Sequence, residues 1–132
     1  MIWRSLIVTA LCSAGAAQAA ELRAAPEYYL AALIDSSTAQ QLALSCSDLS
    51  VDPVRMARLS RDIIDRLEAD GFTMTADNTG MADASDILAA RQADFVSKHG
   101  LQAADEARVC AAGRAEIAEG SGMGLLLIDL AQ

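Results

Sequence analysis

Met1 to Ala19 carries the three parts of a secretory leader, and that decides which cysteines the folded chain keeps. Arg4 supplies a positive charge, Ser5 to Gly15 is a short, mostly apolar run, and Ala17-Gln18-Ala19 is a small-x-small pattern that places cleavage between Ala19 and Ala20. The run is too short to span a bilayer, which takes about 20 apolar residues. Cys12 follows Leu11, not the small residue that lipid attachment wants, so it leaves with the leader. Cys46 and Cys110 remain. In an exported chain two thiols are oxidised, so the expectation is a disulfide between them, closing a loop of about 64 residues. A redox pair would call for C-x-x-C and a zinc site for four ligands, and the chain offers neither spacing. The expected organisation is a leader over 1–19 and one domain over 20–132.

Composition then narrows the fold class. Of 132 residues 28 are alanine, only 4% are aromatic and two are proline. Abundant Ala, Leu, Glu, Asp and Arg with few β-branched residues favours helix over sheet. The whole chain has 10 basic and 18 acidic side chains. Without its leader it has 9 and 18, a net charge of about −9. That balance excludes a nucleic-acid partner, because affinity for a phosphate backbone comes from clustered Lys and Arg. No later stretch has the length of a membrane span, the longest unbroken run in the C-terminal tract being Leu125 to Ile128.

Read for punctuation, the chain predicts a small all-α bundle of four to five helices. A first helix follows Pro26 over Glu27 to about Ser45, with Leu30, Leu33, Ile34 and Leu44 near one face. Its centre, Asp35 to Gln41, is polar, and Ser37-Thr38-Ala39-Gln40 has the form of a capping box, so a break is expected there. A second helix has Asp52 as N-cap, Pro53 at its first position and Gly71 as its stop, with an inward stripe of Met56, Leu59, Ile63 and Leu67. Arg58 with Asp62 and Arg61 with Asp65 describe its wet face. Thr73 to Asp83, with Asn78-Thr79-Gly80, reads as a loop or one short helical turn. Ser85 caps a third helix over Asp86–His99, stopped by Gly100, with Ile87, Leu88, Ala90, Ala93 and Phe95 facing inward. A fourth runs from about Ala103 to Glu119 with Asp105 and Glu106 in its first turn, and a short helix over Met123–Leu130 docks Leu125, Leu126 and Leu127.

Little in this pattern carries chemistry. His99 is the single histidine, placed in a helix's last turn where the dipole favours imidazole. The run Gly120-Ser121-Gly122-Met123-Gly124 lacks the Lys of a phosphate loop and the spacing of a dinucleotide site, so it reads as a joint that allows close packing. Arg114 and Glu116 stand two apart on the fourth helix, so they face different neighbouring helices. They are the candidate binding or buried polar residues. No Ser–His–Asp or Cys–His set assembles, and no cofactor or metal is expected.

The tract Cys110-Ala111-Ala112-Gly113-Arg114-Ala115-Glu116-Ile117-Ala118, followed by Gly120-Ser121, Gly124 and Leu125-Leu126, resembles the tail of the family DUF5333, and Cys46, Gly71-Phe72-Thr73 and Gly100 match in order. The resemblance implies a small exported protein of the kind found in alphaproteobacteria, without an established activity or catalytic residues to transfer. Phe72 in place of the usual Tyr and the Asn78–Gly80 turn depart from the family pattern. Members are sometimes labelled as a respiratory NADH dehydrogenase subunit, yet a [2Fe–2S] centre wants four cysteine ligands and two remain here. The expectation is a non-enzymatic periplasmic module that works through an as yet unidentified protein partner. The alternatives are a small-ligand or cation binder, or an accessory factor of that dehydrogenase without an electron-transfer role.

Overall fold

Capping residues set the helix ends. The computed structural model describes residues 21–75 and 79–132; the expected leader, with the expected Ala19–Ala20 cleavage site, and Asn78 lie outside them. Helix α1 (Glu27–Ser45) follows Pro26, whose carbonyl accepts from the N–H groups of Tyr29 and Leu30. It runs unbroken. The hydroxyls of Ser36 and Ser37 fold back onto the carbonyls of Leu33 and Ile34, and Thr38 is buried, donating to Gln92 at 3.2 Å. The expected capping box is therefore mid-helix, since its polar groups find partners without interrupting the ladder. The buried face is Leu30, Thr38, Ala39 and Leu42, while Leu44 is 83% exposed and not part of it.

A strand, β1 (Leu49–Val51), leads into α2 (Pro53–Ala69). The Asp52 carboxylate accepts from the N–H groups of Val54 and Arg55 at 2.9 and 3.1 Å, and Pro53 fills the first position as expected. Gly71, at φ +80°, turns the chain away. Helix α3 (Ser85–His99) is entered differently from the expectation: Ala84 is the N-cap without a side-chain cap, and Ser85, the first helical residue, donates its N–H and hydroxyl to the Asp83 carboxylate. Of its expected inward residues Phe95 is buried and Leu88 half-buried, whereas Ile87, Ala90 and Ala93 face out. Helix α4 (Glu106–Glu119) starts later than expected, with Asp105 as N-cap accepting from the Arg108 N–H.

The main correction concerns the tail. Residues 123–130 are not a helix: Gly124–Leu126 make one 3₁₀ turn and Leu127–Asp129 form β2, antiparallel to β1 with Leu49 opposite Asp129 and Val51 opposite Leu127. The fold is mostly helical with a two-stranded ribbon, not all-α. Along β2, Leu127 points inward and Ile128 outward, the alternation a strand requires. Local propensity cannot reveal such a pairing, because the partner strand lies nearly 80 residues away.

The core gathers around this ribbon: Ala39 and Leu42 from α1 with Cys46 just after it, Leu49 from β1, Phe95 from α3, Cys110 and Ala112 from α4, and Met123, Leu126 and Leu127. Cys46 and Cys110 stand at disulfide-bonding distance, tying the end of α1 to the middle of α4. Leu67 and Phe72 are buried outside this cluster, Phe72 beneath Arg23. There Arg23 lies over the Phe72 ring at 3.7 Å, donates to the Asp70 carbonyl, and exchanges backbone hydrogen bonds with Gly80 and Ala82.

Two glycines fix how closely the tail packs. A Cβ on Gly124 would overlap the Glu116 carbonyl, and one on Gly113 would overlap the Leu49 side chain. A backbone atom cannot turn aside and a leucine end can. Gly124→Ala is therefore expected to lower stability by about 2–3 kcal/mol and Gly113→Ala by less, compared by urea denaturation.

Candidate functional site

The two polar residues singled out on α4 do face different neighbours. Arg114 reaches the ribbon and not a helix: its Nε donates to Asp129 Oδ2 at 3.0 Å and its Nη2 to Asp48 Oδ2 at 2.9 Å. These carboxylates flank the paired segment, one just before β1 and one in β2, and the hydrogen bond from Arg114 holds the Asp129 carboxyl below its ordinary range. Arg114 thus clamps the ribbon onto α4.

Glu116, 2% exposed, points to α3. One oxygen, Oε1, accepts from Lys98 Nζ at 2.8 Å and meets His99 Nε2 at 2.6 Å. Burial alone would raise its carboxyl. Hydrogen bonds from Lys98, Ser121 and His99, with the Lys98 charge, outweigh that and bring it down to about 2. His99 stands at the helix end as expected and tilts against Phe95, with ring centroids 4.8 Å apart. The quoted tail now reads as a seam: Cys110 for the disulfide, Gly113 for Leu49, Arg114 for the ribbon, Glu116 for α3, and Gly120, at φ +65°, for the helix end. Among the described residues, no group of three or more His, Cys, Asp or Glu is placed to hold a metal ion.

The feature that composition did not single out is a groove between α1 and α2. It has a volume of about 200 Å³, and Tyr29, Ala32 and Leu33 of α1 face Met56, Leu59, Ile63 and Ile64 of α2 across it, with Met74 at its lip. Met56 and Leu59 were expected to face inward and do touch the core, but the stripe continues into this open cleft. Ile64 and Met74 are substantially exposed. The signal was present in the sequence: α1 carries only Glu27 and Asp35 as charges in 19 residues, whereas α2 carries seven in 17. A helix without a charged face has a second side to cover.

No described helix is long and apolar enough to cross a membrane. Comparison with curated proteins and with solved structures returns no match. A family model of unknown function matches residues 20–128, most of the chain, and covers the cysteine pair, all four helices and most of the ribbon. The chain belongs to that family, DUF5333.

Proposed function

We propose that the mature protein is a periplasmic, non-enzymatic interaction module whose α1–α2 groove receives apolar side chains of a different protein. The observation that carries this reading is the groove itself: an open, almost wholly apolar cleft beside an uncharged helix face, on a chain whose mature form has a net charge of about −9. Its volume of about 200 Å³ lies below the roughly 300–1,000 Å³ typical of small-ligand sites, and suits two or three inserted side chains. Met74 at the lip offers the adaptable thioether common at such surfaces. A second copy of this chain is disfavoured as occupant because two strongly acidic molecules repel each other. Export fits the leader and is compatible with the cysteine pair. Arg114 and Glu116 are engaged in ion pairs, which favours this reading over a ligand pocket between them.

The test is a cross-linked pull-down from periplasm with wild type, Ile64→Glu and Met74→Glu, followed by binding of the purified partner to each. One protein captured in near-stoichiometric yield by wild type, bound directly, and lost by at least tenfold in affinity with both variants is the expected result. Capture that both variants leave unchanged overturns the groove as the docking site. Self-association of the wild type that both variants abolish would make the occupant a second copy.

A further inference from the structure

We infer that Asp35 is a proton-responsive latch where α1 meets the Gly120–Gly124 segment, closed when Asp35 is protonated and loosened when it is ionised. Asp35 sits mid-way along α1, half-buried, one turn before the core residue Ala39. Its carboxylate packs against Gly122 so closely that a Cβ there would overlap Asp35 Oδ2. Among the described residues no donor reaches it.

The charges gathered at this junction explain why. Glu116 and Glu119 come from α4, and Lys98 and His99 from α3. Lys98 Nζ is shared between Glu116 and Glu119, both at 2.8 Å, and His99 Nε2 is taken by Glu116. Lys98 and His99 are therefore both committed to α4, and Asp35 is left near the negative Glu116 with no donor of its own. Burial first, and then the Glu116 charge, hold the Asp35 carboxyl above its ordinary range. The folded chain binds that proton more tightly than the unfolded chain does. Ionised Asp35 therefore costs stability at neutral and higher pH, and the cost disappears as pH falls through its folded value. The segment nearest the strain is the one that carries Gly122, which holds itself by hydrogen bonds from Gly124 N–H to Ser121 Oγ and from Leu125 N–H to the Ser121 carbonyl.

The experiment follows melting temperature from pH 4.5 to 8 for wild type, Asp35→Asn and, as a control for general relief of negative charge, Asp94→Asn on the exposed face of α3. Hydrogen exchange at residues 124–126 of wild type and Asp35→Asn is read at both ends of that range. Asp35→Asn is expected to melt a few degrees above wild type at pH 8, with the gap closing toward pH 4.5, and to slow exchange in the segment at pH 8 only. Asp94→Asn is expected to run parallel to wild type. The latch is overturned if Asp35→Asn is less stable at pH 8, if its gain is independent of pH or matched by Asp94→Asn, or if exchange in the segment does not respond.

Discussion

Replacing Cys46 and Cys110 together by serine is expected to lower stability by about 4 kcal/mol. The bridge closes a loop spanning 64 positions, and in the chain-entropy model that restriction of the unfolded chain has this magnitude. Against a total of about 5–15 kcal/mol for a domain of this kind, the loss brings the variant close to its unfolding threshold. The urea midpoint of the double variant should fall, and wild type treated with a thiol reductant should converge on it. A midpoint unmoved by either treatment would show that the cysteines contribute nothing to stability. Both sulfurs lie in the core, so part of the cost will come from packing two hydroxyls among Leu42, Leu49 and Phe95.

The second large effect belongs to Glu116. Its carboxyl is held at about 2 in the fold against about 4.5 for the free side chain, so its ionised form stabilises the native state by about 3 kcal/mol. Because the folded value is the lower one, that contribution is complete above about pH 4.5 and is lost as pH falls towards 2. Glu116→Gln keeps the shape and removes the charge that Lys98 and His99 face. Its deficit relative to wild type should be about 3 kcal/mol at pH 7 and shrink in acid, measured by urea denaturation at pH 7 and pH 3. A deficit that is the same at both would assign the loss to packing alone. Glu116 and Asp35 thus respond to acid in opposite directions, although they are neighbours.

What the sequence made legible was local. Asp52, Pro53 and Gly71 delimit α2 because capping is decided within a few residues, and Gly100 and Gly120 stop α3 and α4 for the same reason. The cysteine pair followed from counting the thiols that an expected leader would leave behind. What failed was non-local. Leu125, Leu126 and Leu127 have the composition of a docked helix, but Leu127 stands opposite Val51 in an antiparallel ribbon. Arg114 was expected to face another helix and faces the ribbon, because the ribbon itself was not foreseen. The α1–α2 groove was hidden by reading the apolar positions of each helix as core, when the core takes Leu42 and Leu67 and leaves Ile63 and Ile64 lining a cleft. Helical periodicity shows that a residue is apolar. It does not show whether a neighbour covers it.

The pairing of residues 127–129 with 49–51 also governs the order in which the chain can fold. The first two helices are synthesised early, but β1 has no partner and Cys46 no second thiol until about 60 to 80 further residues have followed. Contacts of such separation carry the full cost of loop closure before they return any stability, which slows folding. Until Asp129 arrives for Arg114 and the tail pairs with β1, Leu49 remains uncovered on an incomplete chain. A ribosome stall in the last fifth of these 132 residues therefore leaves a chain with helices but no closed core, open to proteases and to capture by a chaperone.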